Sequence, residues 1–422
     1  VLDILYQGKK YLPNSLRLAI CNFPPFFSSA FVSEGGALAY FSSVMNNKHP
    51  RIAVVGVGRL GSIHARLWSV GGAGAQLAVL YDVDIERSKA VAEDIASVGV
   101  SGGASSEAPR VAYSLDEALA EADAVTIASP SSTHYEIALR ALRAGKHCFI
   151  EKPAATSAAE CAALEAEARA RGLTVHIGHV ERFNPALLHI QPYSCKPLFI
   201  EAHRLAQFKP RALDVSVILD LMIHDIDLAL WLARSPVVEI RANGVAVLTA
   251  EPDIANARLQ FENGCVANLT ASRISANTMR KMRIFEPNAY RSLDFASGVA
   301  EIFHVTGDEE PPRNALGKVA PAVMLGAIEA GEKKRSLWYE RREKQEINAI
   351  VEEQRAFLAA LPSGESEKES ARKNSDDGSH GDEPQGITRA TTLAEASQAL
   401  AVAEEIAKII ASVGRADLLK GL

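Results

Sequence analysis

Residues 51–61 constrain this chain more than any other stretch. Ile52-Ala53-Val54-Val55 is a short, continuous apolar run, which is how a strand buried on both faces reads. It leads into Gly56-Val57-Gly58-Arg59-Leu60-Gly61, a G-x-G-x-x-G that opens a helical stretch to about Val70. In that setting the first glycine allows a tight turn, and the second lets the backbone approach a pyrophosphate. The third lets helix and strand pack closely, while the helix N-terminus offers unpaired N–H groups to an anion. Asp82 stands at the end of the next apolar run, where a carboxylate can accept protons from both ribose hydroxyls and repel a 2′-phosphate. The pattern predicts dinucleotide binding with NAD preferred over NADP, and Arg87, five residues further on, softens that preference. The alternative is a purely structural glycine turn with Asp82 capping a helix.

From Arg51 onward, apolar runs at 77–81, 124–128 and 147–150 alternate with helical stretches at 85–95, 115–120, 134–144 and 158–171. That alternation predicts βαβ units and a doubly wound parallel sheet over residues 50–172. Beyond Leu173 the strand-like segments 198–203, 238–247, 256–261, 266–270 and 281–285 alternate only partly, and Asn263-Gly264 signals a hairpin. The fold class expected is therefore α/β: an N-terminal Rossmann sheet plus a C-terminal α+β domain (173–422) with a mostly antiparallel sheet. Helices are expected at 217–232, 345–361 and 393–412. Residues 364–384 are dense in Ser, Glu, Lys, Asp and Gly and read as a disordered insertion. Residues 1–49 read as a poorly ordered extension, with Met45 as the expected natural start. Leu18 to Val32 is apolar enough to suggest an export signal, but Pro24-Pro25 interrupts it and no small-residue cleavage site follows.

Composition narrows the partners. Lys+Arg 45 against Asp+Glu 51 gives a net charge of −6, without the basic excess that nucleic-acid binding favours. No clean run of about 20 apolar residues suggests a membrane span. The five cysteines (Cys21, Cys148, Cys161, Cys195, Cys265) are scattered with no C-x-x-C pair, so reduced thiols in a cytoplasmic protein and no metal site are expected.

Two segments carry the reaction chemistry. Glu151-Lys152-Pro153 follows the run 147–150, at the strand end where open α/β sheets bind ligands. Proline there sets a restricted turn that aims the lysine. Asp220-Leu221-Met222-Ile223-His224 places Asp220 and His224 at i, i+4, on one helix face. Oxidising an alcohol needs a base for the hydroxyl proton, and histidine, with a pKa of about 6.5, suits that task. An ammonium stabilises the developing alkoxide.

These separated motifs, with Ser129-Pro130 and His134 between them, resemble in type and order the glucose–fructose oxidoreductase, inositol dehydrogenase and rhizopine-catabolism (Gfo/Idh/MocA) family. The resemblance runs from about Arg51 to the C-terminal helices. It implies that Lys152 polarises a sugar or polyol hydroxyl, His224 transfers its proton and Asp220 orients them. It carries Gly56, Gly58, Gly61, Asp82, Ser129, Pro130, His134, Glu151 and Lys152 to the cofactor, to which the reading of the glycine turn and the following strand adds Arg59, Leu60 and Arg87. It also implies an open C-terminal sheet that joins subunits into a homodimer or homotetramer. The first 44 residues and the 364–384 insertion have no counterpart in the family pattern.

For the substrate, His179, Arg182 and Asn184 in Gly178-His179-Val180-Glu181-Arg182-Phe183-Asn184-Pro185 offer polar donors, or else form an ordinary charged turn. His203-Arg204 and Lys209-Pro210-Arg211, supplemented by Arg273, Arg280, Lys281 and Arg283, could hold a diphosphate by charge-assisted hydrogen bonds. The segments Gly178-His179-Val180-Glu181-Arg182-Phe183-Asn184-Pro185 and Asp220-Leu221-Met222-Ile223-His224-Asp225-Ile226-Asp227 look like the family branch of UDP-N-acetylglucosamine 3-dehydrogenases. A free polyol such as inositol is the second substrate reading, and an NAD-binding sensor without turnover is the reading of another class.

Overall fold

β1 (Arg51–Val55) buries four of its five residues, and the first half of the chain builds outward from it. In order follow α1 (Arg59–Ser69), β2 (Gln76–Tyr81), α2 (Ile85–Gly102), β3 (Arg110–Val111), α3 (Leu115–Ala120) and β4 (Ala124–Ile127). Then come α4 (His134–Arg143), β5 (His147–Glu151), α5 (Ala158–Arg171) and β6 (Val175–Gly178). The six strands form one parallel sheet in the order β3-β2-β1-β4-β5-β6. Successive side chains of β1 point to opposite faces. Ile52 and Val54 join a core with Trp68, Leu80 and Ile95, whereas Ala53 and Val55 join one with Ile127, Leu142 and Leu164. Strand order reverses between β1 and β4, which opens a crevice beyond their carboxyl ends. β6 is the edge strand of this sheet, so the sheet continues past the boundary expected at residue 172.

The computed structural model describes residues 49–70, 74–102, 108–208, 216–330, 333–362 and 391–420. The expected extension up to Lys48, the expected insertion 364–384, and Lys209, Pro210 and Arg211 lie outside the described residues.

The second half is built on a nine-stranded sheet. After the short helix α6 (Pro185–Leu188) come β7 (Phe199–Leu205), the π-helical turn Ile218–Met222, α7 (Ile223–Ala233), β8 (Val237–Val245), β9 (Ile254–Phe261) and β10 (Val266–Ser272). β11 (Met279–Glu286), β12 (Ala289–Asp294), β13 (Val299–Thr306), β14 (Val323–Ala330) and β15 (Lys333–Arg342) complete the strands. Their order is β14-β15-β13-β12-β11-β7-β10-β9-β8, antiparallel except for the central β7–β10 pair. Strands β12 to β15 extend the sheet beyond the segments that alternation picks out.

Two helices close the chain, α8 (Ala349–Ala359) and α9 (Leu393–Lys420). α7 and α9 cover one face of the large sheet, where Ile226, Leu228, Ala403 and Ile406 pack against Ala257, Leu259 and Leu269. Both terminal helices also reach the first sheet. Phe357 of α8 is fully buried beside Phe149, and Leu393, Ala396 and Leu400 of α9 join the core of β4 and β5. The two sheets are therefore locked together by residues from the far end of the chain.

Candidate active site

The glycine turn is shaped as the motif requires. Gly56 has φ +83°, and a Cβ there would strike the backbone of Ser129. A Cβ on Gly61 would collide with the carbonyl oxygen of Gly56, so only glycine lets α1 start this close to β1. Gly58, at the mouth of α1, faces open space, and no side chain caps the helix. Its first-turn N–H groups thus suit an anion. At the end of β2, Asp82 is nearly buried, and Oδ2 accepts the Val57 N–H at 2.9 Å while Oδ1 accepts that of Asp84 at 2.9 Å. Arg87 leans on Asp82 at 3.3 Å and on Asp84 at 3.0 Å. A carboxylate has about four acceptor sites; the two backbone N–H bonds are the short ones, and a ribose hydroxyl would take the place of the long contacts from Arg87 at 3.3 and 3.4 Å. The cradle fits a dinucleotide.

Behind it, His134 is fixed from both sides. Nδ1 lies 2.8 Å from the Pro153 carbonyl and Nε2 lies 2.8 Å from that of Ser129. A neutral imidazole carries one N–H, so His134 donates to one of these carbonyls and packs against the other, seated between the Ser129-Pro130 turn and the Lys152–Pro153 turn. That peptide bond is cis. Glu151 is likewise turned inward, 2.8 Å from His64 Nε2, and the cofactor contact expected of its carboxylate gives way to an internal one.

Lys152 joins the two halves of the site. Its Nζ donates to the Asp220 carbonyl oxygen at 3.0 Å and stands 3.6 Å from Asp220 Oδ1. The π-helical turn Ile218–Met222 accounts for this contact, because widening a helix by one residue frees carbonyls from the usual ladder. Asp220 therefore orients the lysine, and no hydrogen bond or ion pair links it to His224 among the described residues. His224 follows at the start of α7. Burial first, then the Lys152 ammonium and the Arg204 guanidinium, hold its imidazole well below the usual histidine value. His179 lies alongside, its pKa lowered by burial despite Asp227 at 3.6 Å. The Lys152 ammonium, just past the carboxyl end of β5, is thus near enough to the His224 imidazole to act on its charge state.

Two expected substrate contacts are committed elsewhere. Arg182 is 2% exposed and makes a two-pronged pair with Asp227 (2.6 and 2.9 Å), with Glu395 of α9 at 3.2 Å. Asn184 caps α6, and its amide donates to Glu181 and to the Phe295 carbonyl. Arg204 is buried against Asp225 and Glu181, while Lys281 pairs with Asp294 and Arg283 with Glu201. Arg280 differs. It lies opposite Arg204 across β11 and β7, its side chain is 41% exposed, and its single described ion pair is Glu181 at 3.4 Å. It also acts electrostatically on His224. Sequence reading placed Arg280 only among several cations, because nothing local distinguishes it from its paired neighbours.

Residues 50–179 match the model of an oxidoreductase family with an NAD-binding Rossmann fold, and residues 178–286 match the GFO/IDH/MocA C-terminal domain. UDP-N-acetylglucosamine 3-dehydrogenase of Acidithiobacillus ferrooxidans is 42% identical over 257 residues, 61% of this chain and 77% of that protein. The chain belongs to the Gfo/Idh/MocA oxidoreductase family. Inositol 2-dehydrogenase 2 of Saccharopolyspora erythraea is 32% identical over 237 residues, 52% of this chain and 65% of that one. A solved structure of the A. ferrooxidans enzyme superposes with a TM-score of 0.66 and 33% identity, covering 86% of this chain and 98% of that one. As a member of this family the chain is an NAD-dependent dehydrogenase, and the reading as a sensor without turnover is set aside.

Two measurements follow from this geometry. With His224 as the proposed base, which must be neutral to act and whose pKa is depressed, kcat/KM for alcohol oxidation should hold until the pH drops below the ordinary histidine value of about 6.5. An acid limb centred at or above about pH 7 would contradict that depression. Arg182→Ala should lower unfolding free energy in a denaturant titration by about 3–5 kcal/mol, the cost of stranding a buried charge. A raised substrate KM with unchanged stability would return Arg182 to the substrate.

Proposed function

We propose that this dehydrogenase oxidises a secondary hydroxyl of a nucleotide sugar, the 3-hydroxyl of UDP-N-acetylglucosamine, to a ketone. The observation that carries the proposal is the Lys152 ammonium, held by Asp220 and close enough to the His224 imidazole to disfavour its protonated form. His224 takes the hydroxyl proton, and Lys152 Nζ donates to the same oxygen as it becomes negative. Asp220 keeps the ammonium aimed. NAD, when bound, accepts the hydride. The glycine turn and the uncapped start of α1 hold the pyrophosphate, and Asp82 takes the ribose.

The 42% identical relative supports the nucleotide-sugar reading, and the half-exposed Arg280 supplies a cation beside the reacting groups. A polyol is the second reading, supported by the inositol dehydrogenase relative. The uncovered face of the large sheet carries a ladder of rings, Phe199–Phe285–Tyr290–Phe303–Tyr339, with centroids 4.9–5.7 Å apart. That face is the proposed contact with further copies of the chain, in a homodimer or homotetramer. No described helix is long and apolar enough to cross a membrane. Buried thiols at Cys148, Cys161 and Cys265 agree with the proposed cytoplasmic location.

The test is NAD reduction with UDP-N-acetylglucosamine and inositol side by side, in the natural enzyme and in Arg280→Ala. A hydrogen bond to a charged group contributes about 1.5–3 kcal/mol, so the variant should raise KM for the diphosphate sugar about tenfold or more. Its KM for any neutral polyol should stay unchanged. Turnover of inositol alone, or an equal effect on both substrates, would contradict the proposal.

A further inference from the structure

His64 lies one turn beyond Gly61 on α1, the helix whose start forms the dinucleotide cradle, yet it points away from that cradle. Its side chain is fully buried. Nε2 is 2.8 Å from Glu151 Oε1, and Gln354 Nε2 of α8 approaches Nδ1 at 3.2 Å. With the amide assigned this way its NH₂ donates to Nδ1, which leaves the Gln354 oxygen without a partner among the described residues and places the ring proton on Nε2, facing the carboxylate. The same Gln354 nitrogen lies 3.4 Å from the His64 carbonyl oxygen, which agrees with that orientation of the amide. Phe149 holds the ring edge-on at 5.1 Å, so the imidazole has little freedom to turn.

The other oxygen of Glu151 accepts the backbone N–H of Lys152 at 3.2 Å. Gly178 of β6 makes room for this carboxylate, since a Cβ there would lie 3.0 Å from Oε2. Three side chains from α8, α1 and β5 therefore form one buried line, Gln354–His64–Glu151, ending on the peptide that carries the lysine. A buried carboxylate keeps its place only while its hydrogen bonds are made.

We propose that His64 is a positioning residue for Lys152, acting through Glu151 and itself held by Gln354. This rests on the role proposed above for Lys152. The line fixes the start of the lysine side chain, as Asp220 fixes its end. Through α1 it links the stretch that receives the dinucleotide to the group that polarises the alcohol, and through α8 it makes the lysine's aim depend on a helix near the end of the chain.

The experiment compares His64→Leu, which removes the donor, with His64→Gln, whose amide can still donate toward Glu151. A small misplacement of a reacting group costs about 10²-fold. His64→Leu should therefore lower kcat by up to about that factor, with KM for the sugar little changed and NAD binding retained by fluorescence titration. As the ammonium drifts from His224 its depressing effect weakens, so the acid limb of kcat/KM should move to higher pH. Acylation of Lys152 in the NAD-free protein, followed by peptide mass spectrometry, should speed up several-fold. His64→Gln should restore kcat, the limb and the acylation rate toward the natural values. If His64→Leu does not fold, Glu151→Gln is measured the same way and should show the same slowed turnover and faster acylation. Natural kcat and acylation in the folded variant, or a variant that loses only thermal stability, would overturn the proposal. So would His64→Gln behaving like His64→Leu. Lys152→Met retaining full turnover would instead sink the proposed function and leave these acylation results standing.

Discussion

The contact between Lys152 and Asp220 is the constraint on which the site depends. Lys152 leaves the end of β5 in the first sheet, and Asp220 sits on the π-helical turn that leads into α7 beneath the second. At 3.0 Å from the carbonyl and 3.6 Å from the carboxylate, the ammonium has partners from one residue through two different groups. A flexible four-carbon side chain thereby points in one direction. The reacting alcohol can only be met where the two sheets are held against each other. The packing of α8 and α9 across both cores is thus part of how the site is assembled.

Charge explains why His224 suits its role. An imidazole placed near Lys152, Arg204 and Arg280 and taken out of water is disfavoured as a cation, so it stays neutral where an exposed histidine would begin to protonate. The neighbouring guanidiniums do not compete for that role. Arg182 and Arg204 are absorbed by Asp227, Asp225, Glu181 and Glu395, which leaves Arg280, of the described guanidiniums that act on His224, partly exposed. Buried pairs of this kind organise the loop between β6 and β7.

Local motifs made the first sheet legible and picked out the groups proposed to react. A strand ending in G-x-G-x-x-G and an acid after the next strand are short-range patterns with a geometric cause, and Lys152, Asp220 and His224 each sit in such a pattern. Partners distant in sequence were not legible. Arg182 and Asn184 read as donors to a substrate because nothing nearby shows that Asp227, Glu395 and the Phe295 carbonyl return to take them up. Glu151 and His134 were assigned to the cofactor by the family resemblance, and their contacts with His64 and the Pro153 carbonyl had no local signal. β14 (Val-Met-Leu-Gly-Ala-Ile-Glu-Ala) and the charge-rich β15 lack the clean alternation of a half-buried strand, since much of that edge is exposed. His64 and Gln354 escaped notice because a histidine on a helix and a glutamine 290 residues away share no local signal.

The most direct measurement is a single-turnover experiment with Lys152→Met, following NADH formation from enzyme-bound NAD and the sugar substrate, alongside the dissociation constant for NAD. If the ammonium acts on the alcohol oxygen, hydride transfer should slow by about 10²–10⁴-fold while NAD affinity changes little. Transfer at the natural rate in a variant that still binds NAD would show that the contact with Asp220 organises the fold and not the reaction.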